Sequence, residues 1–346
     1  MADEGDKPEK FITPKDNQDN PALNAEKGQT SPTLESDRAG QLLKQGIAGQ
    51  QSGDFQQAIA ALQQARDFYQ NLQDNLAEAT SLYYLGLAHY GLGNYQETIQ
   101  TAGLSLSLAQ SLLEQRLTGQ VFSLLGNAHR HLNDYDKAIA FQKKSLKVFL
   151  DLKERTGAMA ALNNLGLAYK AQGKHEDAIS CQKRALMFAH SLDDRQTAGQ
   201  ILKNLGNTYY VLGNYREAIN YYEQRLELAR ELEEDRVAVQ ILRNLGNASY
   251  TLGDYRQAIA YNQKRLTLAR QLTDPRSEEQ SLGSLGVAYD AIGDYEQAIK
   301  YYEQRLNVAR EIGDRRVERQ AIGSLRTACY ALGDYAKIAQ YQSEEL

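Results

Sequence analysis

Asparagine recurs along this chain at a spacing that recognition chemistry can use. Asn127, Asn207 and Asn247 stand at multiples of 40 residues from one another, as do Asn164, Asn204 and Asn244, and Asn163 sits beside them. A carboxamide carries both donors and an acceptor, which suits the backbone of an extended peptide. Cations follow the same spacing: Lys203 and Arg243 form one column, with Asn163 and Ser123 before them. Arg130, Lys170, Tyr210 and Tyr250 form another, and Gln120, Gln200, Gln240, Gln280 and Gln320 a third. Within one helix these positions share a face. A merely solvated helix face favours Glu and Lys, because Asn is a poor helix former, so the pattern points to ligand contact. The competing reading is that Asn in these columns bonds the neighbouring helix and stabilises stacking.

Catalytic chemistry finds no comparable footing. Six residues, not four, separate Gly166 from Gly173-Lys174, and His175 follows, so there is no phosphate-binding Walker loop. There is no Gly-x-Ser-x-Gly, no His-Glu-x-x-His and no calcium-loop pattern. His89 and His129 share a column with Tyr169, Tyr209 and Tyr289, so a planar ring is expected there for packing. Glu231, Glu233, Glu234 and Asp235 crowd a helix junction, where acids favour the next helix N-terminus. Two cysteines, Cys181 and Cys329, allow no disulfide framework and no thiolate zinc site. No cofactor and no metal is expected.

The 346 residues carry 39 Lys or Arg and 44 Asp or Glu, a net charge of −5, with a pI near 5.7 and a mean hydropathy of −0.58. That balance argues against nucleic acid as a main partner, since phosphate binding needs a basic face. No apolar run approaches the ~18–20 residues of a membrane span, and the acidic opening Met1-Ala2-Asp3-Glu4 is not a secretory signal. A cytoplasmic setting is expected.

The elements that position these columns are repeats. Gly46, Gly86, Gly126, Gly166, Gly206, Gly246 and Gly286 are 40 residues apart, and Leu85 to Leu325 keep the same period. Gly53, Gly93, Gly173, Gly213, Gly253, Gly293 and Gly333 form a second glycine column, with Asn133 in the gap. Eight units of fixed length mean a solenoid. Each reads as two helices. Val237, Ile241, Leu242, Leu245 and Ala248 recur at threes and fours. Gly253 ends that helix, and Asp254 caps the next, with Gln257 placed to complete a capping box. Asp274-Pro275 marks the turn between units, and Asp74, Asp194 and Asp314 share its register. A glycine inside a helix costs ~0.5–1 kcal/mol relative to Ala, so a full column of them implies close approach of the partner helix. Residues 1–34 are different. They hold four of the five prolines, seven acids and four lysines and no apolar period, and read as a disordered acidic tail. Ser31-Pro32 reads as a helix start, so the fold should begin near 32–36.

Leu-Gly, Ala two residues on, an aromatic after it, then Gly-Asp-Tyr and Ala-Ile resemble a tetratricopeptide repeat, whose common period is ~34 residues. The 40-residue unit, best seen at Glu223-Gln224-Arg225-Leu226 and Glu303-Gln304-Arg305-Leu306 with Ala309-Arg310-Glu311-Ile312-Gly313-Asp314, resembles the arrays of the LGN/Pins class and bacterial tandem arrays. The resemblance covers residues 35–346. It implies an all-α fold, a right-handed α-solenoid superhelix of eight tandem helix-turn-helix repeats, the last truncated. First helices would line a concave groove. It implies a non-enzymatic scaffold or adaptor whose peptide-binding residues are Asn127, Arg130, Asn163, Asn164, Lys170, Lys203, Asn204, Asn207, Tyr210, Gln240, Arg243, Asn244, Asn247 and Tyr250. Leu43, Ile47, Tyr83, Tyr84 and Leu87 would make one end of the groove apolar. The expected partner is an extended or helical protein segment of acidic character. The alternative is a self-associating scaffold acting through its end repeats, hence a homo-oligomer. The LGN class adds Gα-binding segments after its repeats; none precedes Leu346 here, so G-protein binding is not expected.

Overall fold

A computed structural model of the chain describes residues 34–343. The tail expected over residues 1–34, with its Ser31-Pro32 cap, lies outside the described residues except for Leu34, which opens the first helix. Helices follow in pairs: α1 Leu34–Ser52 and α2 Phe55–Asn71, α3 Asn75–Gly91 and α4 Tyr95–Ser111, α5 Gln115–His131 and α6 Tyr135–Asp151, α7 Arg155–Ala171 and α8 His175–Ser191. The pairs continue with α9 Arg195–Val211 and α10 Tyr215–Glu231, α11 Asp235–Leu252 and α12 Tyr255–Gln271, α13 Pro275–Ala291 and α14 Tyr295–Glu311, α15 Arg315–Leu332 and α16 Tyr335–Ser343. There is no strand among the described residues. Odd-numbered helices are the first of each repeat and even-numbered the second.

The turns follow from side chains read above. Gly253 takes φ 87° at the end of α11, a left-handed conformation that costs glycine nothing. Asp254 then accepts from the Gln257 amide at 3.0 Å. The rest of the expected capping box does not form, because the Gln257 carboxamide donates to the Tyr261 hydroxyl at 2.8 Å instead. Asp74, Asp194, Asp274 and Asp314 each cap a first helix through its third residue, at 3.0–3.2 Å. The turns between repeats hold a feature that residue type concealed. Gln73, Leu113, Lys153, Asp193, Glu233 and Thr273 adopt φ 48–58° without being glycine. The following amide bonds back to the helix end, as Glu114 does to the Ala109 carbonyl at 2.9 Å, and that closure holds the left-handed residue in place.

The chain divides into two compact units, Met1–Ile201 and Leu202–Leu346, with the division inside α9. In the first, Leu43, Leu62, Tyr83, Tyr84, Leu85, Leu124 and Leu125 form one core, and Phe149 with Ala158 and Ala161 another. In the second, Tyr222, Leu242 and Leu245 form a core, followed by Leu282 with Leu285 and by Ile322 with Leu325. Each repeat must stack on its neighbour to cover its apolar face.

The glycine column has the expected cause, and its counterpart lies sixteen residues later on the second helix. A Cβ on Gly126 would lie 2.6 Å from Gln142 Nε2, on Gly166 2.8 Å from Gln182 Cγ, and on Gly246 2.7 Å from Asn262 Nδ2. On Gly206 and Gly286 it would enter the rings of Tyr222 and Tyr302. Large side chains of the second helix thus lie flat across the bare backbone of the first.

Candidate functional site

The first-helix columns have different surroundings in the two units. In Met1–Ile201, residues 77–88, 117–128 and 157–168 are buried without a break. There α1 touches α3, α3 touches α5, and α5 touches α7. Asn127, Asn163 and Asn164 are only 1–2% exposed. Asn127 Oδ1 accepts from Gln142 Nε2 at 3.0 Å, and Asn164 Nδ2 donates to Ser123 Oγ, one repeat earlier, at 3.3 Å. The carboxamides of Asn127 and Asn164 thus bond inside the stack. Leu43, Tyr83, Tyr84 and Leu87 are buried as well, so they build core and offer no apolar end to a ligand.

Second helices account for the closure. Their positions at Ala65, Ser105, Ser145 and Ala185 are small, and Ser105 and Ser145 donate to the Ala79 and Gly119 carbonyls at 2.7 and 2.8 Å. In Leu202–Leu346 the same position holds Arg225, Arg265 and Arg305. A guanidinium between hairpins takes volume that serine does not. Arg225 meets Glu234 at 2.6 Å; Arg265 donates to Gln280 Oε1 at 2.7 Å; Arg305 pairs with Glu279 at 2.6 Å and reaches Gln320. Arg265 is buried beside Arg243, and desolvation first, then that like charge, lower its pKa to about 10. The Gln column expected to meet ligand is thus engaged by arginine at Gln280 and Gln320.

What remains open in this second unit is a polar first-helix face. Lys203, Gln240, Arg243 and Asn247 are exposed, Tyr250 is 37% exposed, and Asn207, Tyr210 and Asn244 are half-buried. Asn204 is buried. Neither Lys203 nor Arg243 forms an ion pair among the described residues. Neighbouring first helices meet here: the Tyr210 hydroxyl lies 3.4 Å from Thr251 Oγ1, and α11 touches α13. Tyr210 stands edge-on to Tyr215 at 5.2 Å, and Tyr250 is tilted on Tyr255 at 5.1 Å, so both rings are braced. Asn207 Oδ1 accepts from the Tyr222 hydroxyl at 2.7 Å. Burial raises the Tyr222 pKa and keeps it a donor. Tyr222, Thr251 and Arg265 shape this face yet were absent from the sequence reading. For Tyr222 a signal existed in Gly206, whose missing Cβ makes room for it.

Two further expected residues lie in the first unit. Lys170 is half-buried. Arg130 is half-buried too, and its Nη2 donates to His131 Nε2 at 3.0 Å. That imidazole stacks on Tyr95 at 4.6 Å. Burial, then the Arg130 charge, push its pKa down to about 4. The unfolded imidazole takes a proton near pH ~6.5, so acid favours the unfolded chain. The stabilisation is present above pH ~6.5 and is lost as pH falls towards about 4. His131→Gln should flatten this part of the pH dependence, as read by urea midpoints at neutral pH and near pH ~4.5. The ring column behaves as read: His129 stacks on Phe141, Tyr209 on Tyr221 and Tyr289 on Tyr301, each at 5.4 Å. No group of His, Cys, Asp and Glu that could hold a metal occurs among the described residues, and none of the described helices is long and apolar enough to cross a membrane. Both cysteines are buried, with thiol pKa values raised by desolvation.

Paired helices at a fixed period, bare glycine against a second-helix side chain, and an open polar first-helix face define a helical-repeat protein built for contact. A tetratricopeptide-repeat family model matches residues 77–151, 117–189, 157–231 and 236–311, and a second model with the same description matches 43–106. The chain belongs to the tetratricopeptide-repeat family. No curated protein matches it. Among solved structures it is similar to a signal-transduction ATPase with numerous domains (STAND) that carries a tetratricopeptide repeat sensor, from Pyrococcus horikoshii. The TM-score is 0.65 at 16% identity over 90% of this chain, which spans only 47% of that protein. The apo form of RapI matches with a TM-score of 0.57 at 13% identity, covering 80% of this chain and 98% of that one. The apo quorum sensor NprR from B. thuringiensis matches with 0.52 at 16% identity, covering 86% and 84%.

Proposed function

We propose that this chain is a protein-interaction module that holds an acidic, extended or helical segment of a partner on the first-helix face of Leu202–Leu346. The observation that carries the reading is the pair Lys203 and Arg243, exposed and without ion pairs, set among Asn207, Asn247, Tyr210 and Tyr250. Braced tyrosines supply contact area at low entropic cost. The open carboxamide of Asn247 supplies backbone bonds, and the cations supply attraction and sign selectivity. No catalytic constellation accompanies them among the described residues. The similar STAND protein carries a tetratricopeptide repeat sensor and NprR is a quorum sensor; recognition is the reading here.

The test is a peptide-display selection against the whole chain, followed by titration of the enriched peptide at two salt concentrations. Enriched peptides should be acidic. Lys203→Ala with Arg243→Ala should weaken binding by roughly tenfold and flatten its salt dependence. Asn247→Ala should weaken it without changing that dependence or the melting temperature. Asn207→Ala should also lower the melting temperature, because it orphans the Tyr222 hydroxyl. Affinity unchanged in all three variants would place the binding surface elsewhere and end this reading.

A further inference from the structure

Charge in this chain is unevenly placed. Residues 115–191 hold twelve Lys or Arg and six Asp or Glu, a balance of +6 inside a chain of −5. Much of that excess lies away from the first-helix columns, on the outer sides of α6 and α8. Lys143, Lys144 and Lys147 on α6 are exposed, and so are Lys183 and Arg184 on α8, at the repeat positions of Lys143 and Lys144. In no other described repeat does this register hold more than one cation: it reads Gln63, Gln64 and Asp67 in α2, and Gly103, Leu104 and Ser107 in α4. Lys143 is close enough to α8 to act on the Cys181 thiol. Lys143, Lys144, Lys147 and Arg184 form no ion pair among the described residues.

Two of the lysines lie over aromatic rings. The Lys144 ammonium stands over the rings of Phe122 and Phe141 at 5.5 and 5.4 Å, and that of Lys143 over Tyr169 at 5.8 Å. Aromatic faces of this kind hold a cation in place while leaving it open to an anion. On α8 Met187, at the repeat position of Lys147, is 71% exposed. The positive field is short. Lys143 to Lys147 span roughly 6 Å of helix axis, and the first turns of the same helices carry Asp136, Glu176 and Asp177.

We propose that the outer faces of α6 and α8 form a second docking surface, separate from the first-helix face, for a short acidic amphipathic helix of a partner protein. A helix with carboxylates on one side and an apolar residue for Met187 matches the patch in sign and length. A long polyanion or an anionic membrane would extend past the lysines onto the acidic helix starts. It would also approach a chain of net negative charge, where attraction beyond ~8–10 Å is screened.

The experiment uses the full chain and a fluorescein-labelled synthetic helix with one Glu face and one Leu face, read by anisotropy at low and moderate salt. Phosphatidylserine vesicles and poly(U) RNA serve as rival ligands. The wild-type chain should bind the synthetic helix in preference to both. Lys143→Gln/Lys144→Gln/Lys147→Gln should weaken that binding by roughly tenfold. The titrations are run in a Lys203→Ala/Arg243→Ala background, which removes the cations of the first-helix face, and there charge reversal of the same three to Glu should abolish binding. If the Glu variant fails to fold, judged by circular dichroism, the Gln variant decides. Unchanged affinity in the Gln variant, loss in the Lys203/Arg243 variant, no binding to the wild-type chain, or preference for vesicles or RNA would each overturn the proposal.

Discussion

Gly286→Ala should destabilise the protein by about 1–3 kcal/mol, while the equivalent Gly86→Ala should leave stability nearly unchanged. Both replace a helical glycine, and both gain the ~0.5–1 kcal/mol by which Ala exceeds Gly in a helix. The difference lies across the interface. A Cβ on Gly286 would lie 2.6 Å from Tyr302 Cδ1 and 2.8 Å from its Cζ. Tyr302 is buried, so its ring has nowhere to turn without disturbing the next layer. At Gly86 the second-helix position holds Ala102. The nearest atoms, Leu124 Cδ2 and Thr101 Oγ1, are each at 3.1 Å and belong to side-chain ends that can shift by a few tenths of an ångström. Urea midpoints of the two variants, compared with wild type, measure the contrast. Equal losses at the two sites would show that the glycine column answers to helix geometry rather than to the residue opposite.

Gln142→Leu should cost about 2–4 kcal/mol although leucine is similar in volume and more apolar. Gln142 is fully buried. Its Nε2 donates to the Ser123 carbonyl at 2.9 Å and to Asn127 Oδ1 at 3.0 Å. Leucine there would strand the Asn127 acceptor in a dry interior, and Asn127 Nδ2 already has no partner. The chain itself indicates the rescue. The first repeat has Leu62 in this position, and the second and fourth have Leu87 and Leu167 in the position of Asn127. Gln142→Leu with Asn127→Leu should therefore recover most of the loss, since removing both partners of a buried bond is far cheaper than removing one. Thermal melts of the single and double variants separate these outcomes. A double variant no more stable than the single would show that Asn127 is held by something other than Gln142.

Much of this was legible from spacing. The 40-residue period gave the helix pairs, the caps at Asp254 and Asp274, and a close contact at the glycine column. The identity of that contact was not legible, because the facing register reads Leu62, Ala102, Gln142, Gln182, Tyr222, Asn262, Tyr302 and so has no type of its own. The asparagines show why exposure of the first-helix columns was only half readable. Asn127 and Asn247 occupy one register with one side chain, yet the first is sealed and the second exposed. What distinguishes them is residue type on the second helices, Ser145 against Arg265, a column that carries no ligand chemistry. The left-handed turns at Leu113 and Thr273 escaped for a related reason. The closing bond, from the following amide to a carbonyl five residues back, is made by backbone alone, and neither residue type favours the conformation.

The way the hairpins contact one another also bears on how the chain comes to be folded. Within each unit, helices pack on the next helix in sequence, and α1 with α3, α3 with α5, α5 with α7 and α11 with α13 touch as well. Side-chain bonds between repeats join residues no more than about one period apart, such as Arg225 with Glu234, Arg116 with Glu154 or Tyr261 with Glu223. No long loop has to close before such contacts form, so the entropic barrier to each step is small. Structure can start at any adjacent pair of hairpins and spread in both directions. During synthesis each hairpin can therefore dock on the one before it as soon as its second helix has left the ribosome, with no need to wait for the end of the chain.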